Sequence, residues 1–161
     1  MKWENYQRAL CILDPYGLHL DWQVIKTAAA SRVTEIFLNF PVMDMHMNVF
    51  WANPDRVTES SHARMTRFWG DETWRQAAYD SIQGLFGEMT EKNSIDRIAK
   101  AFQSRLKQVG GFGYVPDPIP MRNTKGAIVY YLFFAAHNAT AHKIVKYIFE
   151  QYAKYGEVPN G

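Results

Sequence analysis

Arg8-Ala-Leu-Cys-Ile-Leu-Asp-Pro-Tyr-Gly17 opens the part of the chain that decides its fold. In the run Arg8 to Leu13 every residue after the arginine is apolar, and the run is closed by four turn-type residues, Asp14-Pro15-Tyr16-Gly17. An unbroken apolar run with such a stop reads as a buried strand of a parallel sheet. Asp21 is placed to cap a following helix, in which Trp22, Val24, Ile25, Ala28 and Ala29 recur at helical spacing. Val33-Thr-Glu-Ile-Phe-Leu-Asn-Phe40 is rich in β-branched and aromatic residues and is stopped by Pro41, which predicts a second strand. Strand, helix and strand in this order make a βαβ unit.

Working outward, residues 42 to 70 show no regular period. Met43, Met45, Met47, Phe50 and Trp51 are apolar but irregular, and Asn53-Pro54-Asp55 is a turn signal. Asp71 is placed to cap a helix through Trp74, Ala78, Ile82 and Leu85, weakened at its end by Gly84 and Gly87. A clearer helix covers Glu91 to Val109, with Ile95, Ile98, Ala99, Phe102, Leu106 and Val109 on one stripe and Gly110-Gly111 as its stop. Phe112 to Pro116 reads as a short strand, Pro116 to Pro120 as an extended segment that turns, and Ala127 to Ala136 as the strongest strand. With no helix between them, the last two strands should be antiparallel neighbours. A final helix runs from Thr140 to Lys154, with Ala141, Ile144, Val145, Ile148, Phe149 and Tyr152 on one face. The expected fold is α/β: a mixed sheet of about four strands flanked by helices.

Composition narrows the classes. The 161 residues, 47% hydrophobic, fit a single globular domain and exclude a mainly disordered chain. A formal charge of +2 is no nucleic-acid footprint by itself. The single cysteine, Cys11, excludes an internal disulfide framework and a Cys-rich zinc site, and points to a reducing, cytoplasmic setting with Cys11 as inert core. No apolar run reaches membrane-spanning length, the first residues carry no signal-peptide pattern, and no repeat is present.

Few residues suggest chemistry. Asp14-Pro15-Tyr16-Gly17 ends the first strand, and ligands of open α/β sheets bind outside the carboxyl ends of the strands. It resembles the Asp-Pro-Pro-Tyr type motif of amino-methyltransferases, in which the acid and a prolyl carbonyl hold an amine and the aromatic ring stacks on a base. Asp14, Pro15 and Tyr16 are thus candidate substrate-side residues, although this chain has one Pro and a Gly, and the same letters also make a plain turn. No Gly-x-Gly-x-x-Gly pattern precedes Asp14, and Gly110-Gly111-Phe112-Gly113 reads as a helix stop. His137 and Asn138, with His142 a helical turn later, form a candidate polar cluster. No third ligand stands at metal spacing, although His19, His46 and His62 exist, so no metal is expected, and Asn138 and Thr140 read more readily as helix caps. Arg56, Arg64, Arg67 and Arg75 interleave with Trp51, Phe68, Trp69 and Trp74, a mixture that can bind single-stranded nucleic acid but equally builds ordinary helix faces.

Taken together, these pieces resemble a family. The segments Leu13 to Gly17 with Asp21 to Ile25, Phe40-Pro41, and Phe68-Trp69-Gly70-Asp71 with Trp74 are similar, in order, to the core of the three-Cys-motif partner (TcmP) proteins. So are Phe112 to Val115 with Pro118, Met121 and Asn123, and Tyr130 to Asn138 with Ala141 to Ile144. The stretch Val42 to Val49 departs from that family. The resemblance implies the C-terminal half of a class I, Rossmann-like methyltransferase fold, with residues 1–161 as one truncated domain lacking an N-terminal portion. It implies no cofactor for this chain by itself, S-adenosylmethionine in an intact form, and a partner of radical-SAM type. Lacking its cofactor half, the Arg8 to Leu13 strand would be an open edge, and self-association through it is expected.

Overall fold

The structure, a computed structural model, describes residues 7–50, 56–83 and 91–155, and every structural statement concerns those. The βαβ unit forms as expected. Strand β1 (Ala9–Leu13) is followed by helix α1 (Trp22–Ala30), whose Asp21 cap accepts from the Gln23 amide, and by β2 (Thr34–Phe40). β1 pairs β2 in parallel, Ala9 beside Thr34 through Leu13 beside Leu38. The later elements are α2 (Val42–Asn48), α3 (Glu59–Trp69), α4 (Trp74–Gln83), α5 (Glu91–Gln108), β3 (Ile119–Arg122), β4 (Ile128–Ala135) and α6 (Ala139–Tyr155). The four strands lie in the order β1-β2-β4-β3, with β4 antiparallel to both neighbours. The expected mixed α/β sheet with flanking helices is therefore the observed fold.

Several local expectations are corrected. The described parts of residues 42 to 70 are largely helical: α2 starts directly after Pro41, and α3 is capped by the Thr58 hydroxyl, which accepts from the Ser61 amide. The helix was hidden because α3 buries only Ser61, Met65, Phe68 and Trp69 in an otherwise polar sequence. Phe112 to Pro116 is not a strand. Only Tyr114 bridges there, to Ala136, and the strand lies later, at Ile119–Arg122. Its Pro120 lacks a donor, which an edge strand tolerates. The Asp71 carboxylate accepts from the Thr73 amide, so it orders the turn that precedes α4 rather than capping the helix itself. β1 is parallel but not buried on both faces. Cys11 and Leu13 pack on the core, while Leu10 and Ile12 are 54% and 73% exposed on the opposite face. Trp51, Asn53-Pro54-Asp55, the Gly84-Leu85-Gly87 helix end and the first six residues lie outside the described residues.

The sheet separates two unequal apolar layers. One contains Ile36, Leu38, Phe40, Tyr131 and Phe133 of the sheet with residues of α1 to α5. Phe102 of α5 sits in its middle, its ring 4.5 Å from that of Phe40 and 5.4 Å from those of Trp69 and Phe133. The other layer is thin: Val145 and Phe149 of α6 pack on Ile119, Phe134, Phe37, Met121 and Leu132.

Candidate functional site

The βαβ register builds the site. Because Leu13 lies beside Leu38, the next residues, Asp14 and Asn39, meet at the carboxyl ends of β1 and β2. The Asn39 amide donates to Asp14 Oδ1 at 2.6 Å, which fixes the carboxylate and leaves its second oxygen for another donor. Gly17 turns the chain with φ +56°, and its α-carbon backs onto the Asp44 carboxylate of α2: a Cβ there would lie 2.9 Å from Oδ2. Asn48 in turn donates to Asp44 Oδ1 at 2.8 Å. Tyr16 is 91% exposed, its ring against that of His19 with centroids 6.3 Å apart and planes 22° apart. Asp14, Pro15, Tyr16, Asn39, Arg64 and Tyr130 are among the residues that surround an open cavity of about 360 Å³. Asn39, Asp44 and Tyr130 were not singled out as site residues in the sequence, and Arg64 only as part of the basic–aromatic stretch. Of these, Asn39 left a signal, a polar side chain between Leu38 and Phe40 in an otherwise apolar strand end.

The expected polar cluster at the end of β4 is not one site. The His137 Nε2 lies 2.9 Å from the Ala29 carbonyl, and its ring stacks on Phe112. Asn138 is a cap, its side chain accepting from the Thr140 amide at 2.8 Å. His142 faces Tyr114, with ring centroids 5.3 Å apart. Among the described residues no group of His, Cys, Asp and Glu is placed to hold a metal ion.

The basic–aromatic stretch separates in the same way. Phe68, Trp69 and Trp74 are core side chains, no more than 3% exposed, so their rings offer no face to a nucleic-acid base. Arg64 points to the Asp14 cavity, whereas Arg67 and Arg75 border another opening with Lys26, Asp21, Glu59 and Glu72, in which the charges balance. Around Phe68-Trp69-Gly70-Asp71 the structure shows an architectural device. Arg105, 8% exposed, donates to the Trp69 carbonyl, to Thr73 Oγ1 and to Asp71 Oδ2 at 2.7 Å, and lies 4.8 Å over the Trp22 ring. Burial pulls the Asp71 carboxyl upward, but the hydrogen bonds from Thr73 and Arg105 outweigh it and set its pKa below the ordinary value.

Tyr131 is held differently. Its hydroxyl donates to Asp96 of α5, and burial together with that carboxylate drives the phenol well above its ordinary range. Among the described residues no helix is long and apolar enough to cross a membrane. Compared with protein-family models, with characterised proteins and with solved structures, the chain matches none.

Proposed function

We propose that this chain supplies the substrate side of a methyltransferase-like protein of TcmP type, and that the Asp14 cavity takes an amine carried on a planar ring. The observation that carries the reading is the Asn39–Asp14 hydrogen bond at the carboxyl ends of two parallel strands, which aims a fixed acceptor into an open cavity beside the exposed Tyr16 ring. Asp14 accepts from the amine, Pro15 shapes the turn, and Tyr16 covers the ring. The sheet supports it too, since a parallel pair followed by an antiparallel pair agrees with the C-terminal half of that fold.

The described residues do not fit S-adenosylmethionine. Of the turns leading from a strand into a helix, only the one after β1 carries a glycine, and Gly17 is backed by the Asp44 carboxylate. Gly110 and Gly111 end α5 instead, with Gly110 packed on the Leu106 carbonyl and Gly111 at φ +87°. Calorimetry with this chain alone should show no micromolar binding of S-adenosylmethionine.

The substrate-side reading is tested by amide chemical-shift titration with adenine, and with purine as the analogue lacking the amino group. Adenine should shift the amides of Asp14, Tyr16, Gly17, Asn39 and Tyr130, purine should shift them far less, and Asp14→Asn or Tyr16→Ala should abolish the response. Equal responses to both compounds, or none at millimolar concentration, would refute the reading.

A further inference from the structure

β1 is one edge of the sheet, and its free side has a defined pattern. The Ala9 amide is given to the Val33 carbonyl, so in a parallel ladder the alternate residues Leu10 and Ile12 direct their N–H and C=O groups away from β2. The same two residues carry exposed apolar side chains on the α6 face of the sheet. By the alternation of a strand, Arg8 and Asp14 lie on that face as well.

The neighbouring flank of α6 is also bare. Val145 and Phe149 point down onto the sheet, and His142, Lys146 and Glu150 line the β3 side of the helix. The opposite flank, toward β1, therefore carries Ile144, Ile148 and Tyr152. With Leu10, Ile12 and Tyr147 these are six large apolar side chains, each 43% to 73% exposed. An exposed apolar group of this size marks an interaction surface.

We infer that a second copy of this chain covers this face, through antiparallel pairing of β1 with the partner's β1 about a dyad at Cys11. The inference goes beyond the proposed substrate reading and does not depend on it. The register follows from self-complementarity. Centred on Cys11, Leu10 stands opposite the partner's Ile12, and Arg8, which pairs with Glu35 of its own chain at 3.7 Å, stands opposite the partner's Asp14. The outward backbone groups of Leu10 and Ile12 then find partners, apolar meets apolar, and cation meets carboxylate. Centring on Leu10 sets Arg8 against the partner's Ile12, and centring on Ile12 sets Leu10 against the partner's Asp14. Both alternatives bury a charge against an aliphatic side chain. In the Cys11 register the two sheets become one, an exposed edge is removed, and the α6 flanks face each other across the dyad.

The chain's only cysteine tests the register without mutation. Cys11 and the partner's Cys11 form a non-hydrogen-bonded pair with Cα atoms about 4.5 Å apart, inside the range of a disulfide. Light scattering should give a dimer of the 18.7 kDa chain at micromolar concentration. Diamide, which takes two electrons from two thiols, should convert that dimer to a disulfide-linked one. Ile12→Lys lies on the exposed face, should keep the native circular dichroism spectrum, and should weaken the dimer by about tenfold or more. Arg8→Glu should weaken it too, and the double exchange Arg8→Glu with Asp14→Arg should restore it. A monomer at millimolar concentration, a dimer that survives Ile12→Lys in folded form, or a dimer that diamide fails to link would each overturn the proposal. These outcomes are read from the oligomeric state and the Cys11 crosslink, and adenine binding from amide shifts, so failure of one reading is distinguishable from failure of the other.

Discussion

Arg105 is the most constrained charged residue of the described chain, and its surroundings explain why Phe68-Trp69-Gly70-Asp71 reads as a motif. The guanidinium lies between the Trp22 and Trp69 rings and hydrogen-bonds Asp71, Thr73 and the Trp69 carbonyl. Gly70 closes the device: it ends α3 at φ +100°, and the Trp22 ring occupies the space where a Cβ would stand. Gly70→Ala therefore combines backbone strain with a clash and should cost about 3 kcal/mol or more in urea unfolding. Asp71→Asn keeps the shape but takes the anion from a buried cation, and should cost about 1–2 kcal/mol at neutral pH. Because the folded-state pKa of Asp71 is depressed, its contribution is present above the ordinary carboxyl value of 3.8 and is lost as pH falls through the lower folded value. The stability gap between wild type and Asp71→Asn should accordingly shrink on acidification below about pH 4.

At the level of elements, the contact between α5 and β4 makes an alkaline counterpart. The Tyr131 phenol, joined to Asp96, resists ionisation in the fold, whereas in the unfolded chain it ionises near its ordinary value of 10.0. Its contribution is full below that value and declines as pH rises toward the folded one, because the unfolded state releases the proton first. Tyr131→Phe should lose about 1 kcal/mol at pH 8, and the difference from wild type should narrow above about pH 10 in urea titrations. Elements whose pattern matched one strong period were legible in the sequence: β1, α1, β2, α5, β4 and α6. Those that were missed depend on tertiary context. α2 is a short helix fixed by its neighbours, α3 shows few apolar residues, and β3 carries a proline that an edge alone permits. The site was half legible for the same reason. Asp14, Pro15 and Tyr16 are consecutive, whereas Asn39 joins them only through the parallel register, and Arg64 and Tyr130 through packing. His137, Asn138 and His142 are near in sequence but point to three different neighbours.

For the whole molecule, the unequal layers on the two sheet faces predict unequal stability. Phe102 touches rings from α1, β2, α3 and β4, so Phe102→Ala should cost about 3–5 kcal/mol and loosen the domain as a unit. Phe149 belongs to the thin layer, is 7% exposed, and has Phe37 as its ring neighbour. Phe149→Ala should remain within about 2–3 kcal/mol and act mainly on α6. Hydrogen exchange followed by mass spectrometry separates the two cases. In wild-type protein at low concentration, the α6 amides should exchange faster than those of the second half of α5, because fewer buried contacts oppose local opening. Pairing through β1 would add cover to the thin layer alone. Protection of α6 and of the Leu10 and Ile12 amides should then rise with protein concentration, while that of α5 stays constant, and Ile12→Lys should remove the dependence. A uniform rise in all elements would instead mean that association stabilises the whole fold, and the thin layer would not be its weak point.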